Sequence, residues 1–408
     1  MDKQLKKYAE LLVQYGANVQ KNQLVVITID VENVSFAHML RDAAYDAGAG
    51  EVFIDWIDEQ SNLARYLRAD NDVFDNYHEW MAKKYLELDE KGAVYIHIVS
   101  SDPELLESVD PDRINRYVQI ASQKNKEHSS HLMSCENRWV IGAFPSIKWG
   151  EKVFPKLKGE KAKEALLELI LKCSRIDLED PVESWKKENN LFEKRKNYLN
   201  NIQFKALHFS NSLGTDLVVG LAKDHLWAGF GNVDKNGIDF SPNLPTAEIY
   251  SAPHRDKVNG TVVASMPLAF QGNLIEGIQI EFVDGKAVKY KATKNENLLK
   301  ILIETDESSS FLGEVALVPK SSPIGESGTI FYNTLFDENM SCHLALGQAY
   351  SSCIKDSDKM TLDELKSKGL NESLIHVDFM FGTPDIRVCG ELKNGEMITL
   401  MEDGEFLF

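Results

Sequence analysis

Tight-turn signals divide this chain into two parts. Asn-Gly and Asp-Gly pairs favour the two-residue turns of β-hairpins because their residues adopt positive φ angles readily. Such pairs occur only beyond residue 200, at Asn236-Gly237, Asn259-Gly260, Asp284-Gly285, Asn394-Gly395 and Asp403-Gly404. The pattern predicts a second half made mostly of antiparallel strands, with one helix near residues 294–304.

The first half alternates apolar runs with helical patterns. Strands are predicted at 23–29, 51–57, 93–100 and 138–144, a helix at 34–50, and two further helices between 159 and 202. This alternation is typical of βαβ units around a mainly parallel sheet. The first strand-to-helix junction, TIDVENVSF, contains no glycine, so it lacks the dinucleotide-binding fingerprint, and the chain has no P-loop. We therefore predict an α/β domain over residues 1–200 and an α+β domain, rich in antiparallel strands, over 201–408.

Composition restricts the class of protein further. The 408 residues are 43% hydrophobic, which is enough for two or three cores. The net charge of −18 argues against nucleic acid or anionic membranes as partners, because phosphate binding needs clustered Lys and Arg. Neither a long apolar run nor a secretory pattern in MDKQLKKYAE is present, so we expect a cytoplasmic protein. The five cysteines show no C-x-x-C spacing and predict neither disulfides nor a cysteine zinc site.

Four segments of the second half carry acids or histidines in unusual settings: NLPTAEIYSAP, FLGEVALVP, FDENMSCHLALGQAY and SLIHVDFMFG. Glu314 interrupts an apolar run, where a carboxylate needs a positive partner or a metal. Strand alternation places His376 and Asp378 on one face. Four carboxylates and two imidazoles suit Zn²⁺, Co²⁺ or Mn²⁺, and the carboxylate excess suits two ions that share a bridging ligand. The candidate ligands are Glu248, Glu314, Glu338, His343, His376 and Asp378.

Each candidate also has an ordinary structural interpretation. His376 and Asp378 fit the solvated face of an edge strand, and Glu314 fits a buried salt bridge to Arg or Lys. Glu338 fits a loop acid. His343 and Tyr350 are seven residues apart, which fits two turns of a helix in the core. His254 offers a further imidazole, although its charged neighbours favour a surface turn. Residue types and spacing alone lead only to the class of divalent-metal hydrolases.

The same segments resemble the M29 family of metallo-aminopeptidases in four ordered motifs. These are N-L-P-T-x-E (243–248), F-L-G-E-V-A-L-V-P (311–319), E-N-x-x-x-H-x-A-x-G-x-A-Y (338–350) and H-V-D-F-M (376–380). The first half offers a less distinctive match, RWVIGAFPSIKW (138–149), with Phe-Pro-Ser where the family has a Pro-Thr type of segment. The resemblance implies two divalent ions, a homodimer, and an N-terminal α/β domain that helps to enclose the active site of a C-terminal catalytic domain.

Carried over by position, the resemblance implies metal ligation by Glu248, Glu314, Glu338, His343 and Asp378. It makes His376 a ligand or a direct neighbour of the ligands, and Tyr350 an active-site phenol. The implied activity is removal of N-terminal residues from peptides with a free N-terminus, by a water that two metals activate. Within it we expect Glu314 to bridge the ions, Tyr350 to donate to the oxyanion and Glu248 to shuttle a proton.

Two other functions stay open at this point. Another metal amidohydrolase, such as a dipeptidase, would use a similar centre on different substrates. A non-catalytic assembly module would use the metal only for stability, so chelation would lower its melting temperature with no activity to lose.

Overall fold

The structure is a computed structural model and describes residues 1–100 and 102–408. The described residues contain these helices: α1 Asp2–Leu11, α2 Val34–Asp46, α3 Glu59–Arg68, α4 Glu79–Glu90, α5 Pro111–Lys124, α6 Lys126–Met133, α7 Ile147–Val153, α8 Glu160–Cys173, α9 Pro181–Ile202, α10 Glu296–Ile303, α11 Pro323–Ser327, α12 Thr334–Asp337 and α13 Leu362–Ser367. In the part of the chain described, we find no helix with the length and apolarity that crossing a membrane requires.

The strands are β1 Leu24–Asp30, β2 Glu51–Ile57, β3 Val94–Val99, β4 Trp139–Ala143, β5 Ala206–Ser210, β6 Asp216–Leu221, β7 Asn232–Val233, β8 Asp239–Phe240, β9 Ile249–Ser251, β10 Pro253–Val263, β11 Leu268–Phe270, β12 Asn273–Ile275, β13 Gln279–Val283, β14 Lys286–Lys291, β15 Leu312–Leu317, β16 His343–Gly347, β17 His376–Met380, β18 Arg387–Glu391, β19 Met397–Glu402 and β20 Glu405–Phe406. They belong to two compact units made of interleaved segments. Unit 1 comprises Met1–Glu188, Phe230–Pro245 and Gln271–Asn273, and unit 2 comprises Asn189–Gly229, Thr246–Phe270 and Leu274–Phe408. A domain division at residue 200 stays a prediction.

A four-stranded parallel sheet forms the centre of unit 1. Its order is β2-β1-β3-β4, and every pairing within it is parallel. The central strand β1 is apolar at Val25, Val26, Ile27 and Ile29, which are all fully buried. Such a near-continuous apolar run is expected for a parallel strand that is covered on both faces. The predicted α/β architecture of the first half is confirmed.

A buried ion pair holds the β7–β8 hairpin within unit 1. Arg138 Nη1 lies 2.7 Å from Asp234 Oδ2, and the two side chains are 1% and 4% exposed. The other oxygen of Asp234 accepts hydrogen bonds from the backbone N–H groups of Asn236 and Ile238. One carboxylate therefore both neutralises a buried guanidinium and closes the Asn236-Gly237 turn.

Unit 2 is built on antiparallel sheets. The larger sheet has the order β14-β13-β10-β6-β5-β18-β19-β20, and a four-stranded sheet has the order β17-β16-β15-β9. All pairings in these two sheets are antiparallel. Helix α10 confirms the helix expected near residues 294–304. The predicted antiparallel character of the second half is also confirmed.

Four of the five predicted hairpin turns are present, and one is wrong. The pairs at 236–237, 284–285, 394–395 and 403–404 connect β7 to β8, β13 to β14, β18 to β19 and β19 to β20. Asn259-Gly260 instead lies inside β10. Gly260 has a φ of +118°, and a Cβ atom there would stand 2.2 Å from the carbonyl oxygen of Asp216 on β6. This glycine serves the close approach of two strands rather than a turn.

Two helices of unit 1 are tied to β3 by one buried carboxylate. Asp89 of α4 accepts hydrogen bonds from Nδ1 of His128 and of His131, at 2.9 and 3.0 Å, and from the hydroxyl of Tyr95 on β3. Burial alone would raise the pKa of the Asp89 carboxyl. The hydrogen bonds from His128, Tyr95 and His131 outweigh burial, so this pKa lies below its usual value.

The substitution Asp89→Asn is expected to lower the free energy of unfolding by about 1–3 kcal/mol at neutral pH, because the neutral amide offers one acceptor oxygen instead of two to the three donors. Since the folded pKa of Asp89 lies below its unfolded value of about 3.9, this stabilisation is complete above that value. It is lost as the pH falls through the folded pKa. Urea unfolding of both proteins from neutral pH to about pH 3 measures the difference.

The exposed pair of Asp75 with Arg116 supplies the control. The variant Asp75→Asn should change stability by less than about 1 kcal/mol, since an exposed ion pair contributes little. A difference between wild type and Asp89→Asn that stays constant down to the lowest pH would contradict the assignment.

Candidate metal centre

One face of the sheet β17-β16-β15-β9 carries most of the predicted ligands. Residues opposite each other on antiparallel strands point to the same face. Ala345 of β16 pairs with both Glu314 of β15 and Asp378 of β17, so these three side chains share one face. Because side chains alternate along a strand, His343 and His376 point to that face as well.

Glu248 reaches the same face from the edge of the sheet. It immediately precedes β9, as expected for a residue at a strand entry. Tyr250, two residues further on, pairs with Ala316 of β15, and Ala316 pairs with His343 of β16. Tyr250, Ala316 and His343 therefore form a row across three strands, with Glu248 beside it. Ala316 and Ala345 are both fully buried and leave room for the larger charged groups.

The acids and histidines form two groups that share Glu314. Nε2 of His343 lies 3.1 Å from Glu248 Oε2 and 3.2 Å from Glu314 Oε1. Nε2 of His376 lies 3.6 Å from Glu314 Oε2 and 3.5 Å from Asp378 Oδ1. Each oxygen of Glu314 thus faces a different imidazole. Both groups have the size and the ligand types of a metal site.

Backbone carbonyls orient both imidazoles. Nδ1 of His376 lies 2.7 Å from the carbonyl oxygen of Gln348, and Nδ1 of His343 lies 3.4 Å from that of Ser341. A carbonyl can only accept, so each Nδ1 carries the proton that it donates. Nε2 of each ring then faces the carboxylates, which is the usual arrangement of a metal-binding histidine whose other nitrogen is held by a neighbouring acceptor.

Negative charge dominates this face. Burial, together with the charges of Asp378 and Glu248, raises the pKa of Glu314 to about 7, although the hydrogen bond from His343 opposes the rise. Burial alone would lower the pKa of His343, but its contacts with Glu248 and Glu314 raise it well above the usual value. Among the described residues, Glu314 has ion-pair contacts only with histidines, so the alternative of a buried bridge to Lys or Arg is wrong.

One carboxylate oxygen in this centre has no hydrogen-bond partner. Oδ1 of Asp378 is buried and has no hydrogen-bond partner among the described residues, and Nε2 of His376, at 3.5 Å, is too distant for a good hydrogen bond. Burying an unpaired carboxylate oxygen is costly. A divalent cation would satisfy this oxygen and offset the excess of negative charge, so the residues present fit a metal centre. The alternative of a solvated edge-strand face is wrong, because Asp378 is buried and His376 is largely buried.

Glu338 lies outside both groups. It is buried at the C-terminal end of α12, and its Oε1 accepts a hydrogen bond from Nδ2 of Asn339. Burial, followed by the charges of Glu248 and Asp378, raises its pKa well above the usual value, so Glu338 stands close to the same carboxylates. It is therefore a buried neighbour of the two groups rather than the ordinary loop acid that we considered.

Asn339 is a residue that residue-type reasoning missed. Its Oδ1 accepts a hydrogen bond from the backbone N–H of Ala247 at 2.6 Å, and its Nδ2 also donates to the carbonyl oxygen of Leu335. It therefore connects the segment of Glu248 to that of Glu338. The Glu-Asn pair at the start of the third motif is the signal that could have indicated it.

The helical alternative for the segment from His343 to Tyr350 is wrong, because residues 343–347 form β16. The strand pairs with neighbours on both sides, and this pairing overrides the helical spacing. Tyr350 follows the strand, with its ring 5.0 Å from that of His376 in an edge-on arrangement. His254 lies in β10 rather than in a surface turn, and it belongs to neither group.

The buried carboxylates and imidazoles on the antiparallel sheet of unit 2 are typical of a divalent-metal protein. The family described as "Thermophilic metalloprotease (M29)" matches residues 1–406. The chain belongs to this family of metalloproteases and uses divalent metal, as the four motifs implied.

Relatives and a solved structure agree over the full length. Aminopeptidase AmpS of Bacillus subtilis (strain 168) is 39% identical over 404 residues, covering 99% of this chain and 98% of the relative. Aminopeptidase 2 of Geobacillus stearothermophilus is 38% identical over 407 residues, covering 100% and 98%. The structure of wild-type AmpT from Thermus thermophilus superimposes with a TM-score of 0.92 at 37% identity, covering 100% of both chains.

The substitution Ala345→Val should reduce metal binding without unfolding the protein. The added methyl groups would enter the space between Glu314 and Asp378, and the overpacking should cost about 1–3 kcal/mol of stability. We expect elemental analysis to find less than about half of the wild-type metal content, with an unchanged circular dichroism spectrum.

Leu344→Ile provides a matched control for Ala345→Val. Leu344 is the preceding residue of β16, is equally buried, and points to the opposite face. Its variant should keep the wild-type metal content. Wild-type metal content in Ala345→Val would show that this alanine does not define the space for the ion.

Proposed function

We propose that the protein is a metal-dependent aminopeptidase whose centre holds two divalent ions with Glu314 between them. Membership of a metalloprotease family, and relatives that carry the name aminopeptidase, support the activity. The observation that carries the two-ion proposal is the sharing of Glu314, which turns one oxygen to His343 and the other to His376. A carboxylate in this position is suited to bridge two ions.

In this proposal, Glu248, His343 and Glu314 hold one ion, and Glu314, His376 and Asp378 hold the other. Glu338, which is buried beside them, completes the set of carboxylates. Mixed oxygen and imidazole ligands suit Zn²⁺, Co²⁺ and Mn²⁺. When bound, two such ions supply a water that ionises near neutral pH and a positive charge that polarises the scissile carbonyl.

Tyr350 is the proposed donor to the carbonyl oxygen. Its ring lies beside that of the predicted ligand His376. Burial, and then the charges of Glu314 and Asp378, raises the pKa of this phenol well above the usual value. It therefore stays protonated at neutral pH and can donate as negative charge develops on that oxygen. Its ring packs against His376, which restricts the motion of the phenol.

Glu248 is the proposed proton carrier. Its side chain is 10% exposed, against 5% for Glu314, so it reaches further towards solvent. In this role the carboxylate accepts a proton from the attacking water and delivers it to the leaving amine as the C–N bond breaks. Its contact with His343 restricts the position of the Glu248 carboxylate.

The proposed substrates are peptides with a free N-terminus. The homodimer and the cytoplasmic location stay predictions from the sequence and the family resemblance. So do the number and the identity of the metal ions.

Hydrolysis of Leu-p-nitroanilide tests the function, measured on metal-stripped protein before and after addition of Zn²⁺, Co²⁺ or Mn²⁺. We expect restored cleavage when bound metal reaches about two ions per chain. A panel of dipeptides, longer peptides and N-acetylated peptides should show that a free amine is required and that length is tolerated.

Each other outcome identifies a rival. Cleavage limited to dipeptides would indicate a dipeptidase. Metal binding that raises the melting temperature, with no cleavage of any free-amine peptide, would indicate an assembly module. Full activity with one ion per chain would overturn the two-ion proposal alone.

Glu314→Gln tests the shared ligand. The variant keeps the shape of the side chain but removes the charge that both groups use. We expect loss of at least about 10³-fold in kcat and loss of at least one bound ion, measured on the same sample by steady-state kinetics and elemental analysis.

Glu304→Gln is the matched control for Glu314→Gln. Glu304 is exposed and accepts a hydrogen bond from Tyr290, so this variant should behave as wild type. Normal metal content and activity in Glu314→Gln would remove Glu314 from the ligand set.

A further inference from the structure

A second tyrosine stands on the metal-binding face. Tyr250 lies two residues beyond Glu248, in the cross-strand row with Ala316 and His343. Its backbone is held on the other side by Ala228. The N–H of Tyr250 donates to the carbonyl oxygen of Ala228 at 3.0 Å, and the N–H of Ala228 donates back at 2.9 Å. The Cα–Cβ bond of Tyr250 therefore points to the face of the sheet that carries the predicted ligands.

The ring of Tyr250 packs beside that of Tyr350. Their centroids are 5.4 Å apart with a tilt of 46°, and Tyr350 in turn lies 5.0 Å from His376. The rings of Tyr250, Tyr350 and His376 thus form a continuous row that ends at a predicted ligand. Both tyrosines also pack against an apolar cluster that includes Ala349, Cys353 and Ile354. This packing restricts the motion of the two rings.

Neither phenol hydroxyl makes a hydrogen bond to another described residue. Neither hydroxyl oxygen is among the fully buried polar atoms that lack a partner. The hydroxyl of a tyrosine that is mostly buried usually finds a partner. Two neighbouring tyrosines whose hydroxyls have no partner among the described residues, on the face that carries the predicted ligands, fit the role of donors that a bound substrate would use.

We propose that Tyr250 is a second substrate-contacting residue, whose hydroxyl donates a hydrogen bond to the scissile carbonyl oxygen beside that of Tyr350. This inference rests on the proposed aminopeptidase function and deepens it. Two donors on one oxygen stabilise the negative charge that develops as water attacks, and they contribute more there than on the neutral carbonyl. Loss of one donor should therefore reduce kcat rather than raise KM.

Tyr250→Phe tests this inference, because it removes only the hydroxyl. It is compared with Tyr350→Phe, with the double variant, and with Tyr290→Phe, which removes an exposed hydroxyl that donates to Glu304. We expect Tyr250→Phe to lower kcat by about 10- to 10²-fold with KM within about twofold and with wild-type metal content. The double variant should lose less than the product of the two single losses, because both hydroxyls act on one oxygen. Tyr290→Phe should match wild type.

Binding of a small tetrahedral anion gives a readout that does not depend on turnover. Isothermal titration with leucine phosphonic acid, whose phosphonate resembles the charged tetrahedral state, should show at least about tenfold weaker binding to Tyr250→Phe. Binding of leucinamide, which has a neutral carbonyl, should change less.

Wild-type kcat, KM and phosphonate affinity in Tyr250→Phe would overturn the inference and leave Tyr250 as a packing residue. A rise in KM alone would also overturn it, since that result indicates contact with the substrate before charge develops. The proposed function fails separately, if reconstituted wild-type protein cleaves no free-amine peptide.

Discussion

Repulsion among buried carboxylates is the constraint on which the rest of unit 2 depends. Glu248, Glu314, Glu338 and Asp378 are all buried, while only two imidazoles accompany them. Water would screen such charges, but it is largely excluded here, so the protein must hold them together by packing and strand pairing. A divalent cation held at this proposed centre would convert the repulsion into attraction. The centre would then be a cost to the fold without metal and a source of stability with it.

The two faces of the sheet β17-β16-β15-β9 carry different kinds of residue, and this difference offsets the cost. Along β16, His343 and Ala345 point to the ligand face, while Leu344 and Leu346 are fully buried on the other. The apolar face anchors the strand, and the small residue of the ligand face leaves space for charged neighbours. Preorganisation of this kind fixes the proposed ligands before an ion arrives, so less conformational freedom would be lost on binding.

Much of this arrangement was predictable wherever a local pattern determines the structure. Alternation in SLIHVDFMFG placed His376 and Asp378 together, and the apolar run around Glu314 indicated a buried strand; β15 is indeed buried throughout. Local patterns gave the wrong secondary structure where pairing with a strand distant in the sequence determines it. The spacing of His343 and Tyr350 fits a helix, but pairing with β15 and β17 makes the segment a strand. Asn259-Gly260 resembles a turn, but contact with β6 makes it part of β10.

The contacts within the centre were harder to predict, because they depend on register between strands far apart in the chain. Glu314 meets Asp378 only because Ala345 pairs with both of them. A slip of one residue in either pairing would turn a whole strand over and send its ligands to the apolar face. The positions of Tyr250 and Asn339 beside the predicted ligands could not be predicted for the same reason, since each contacts a residue about 90 to 100 positions away. Strand register, more than any single ligand, therefore sets the geometry of this centre.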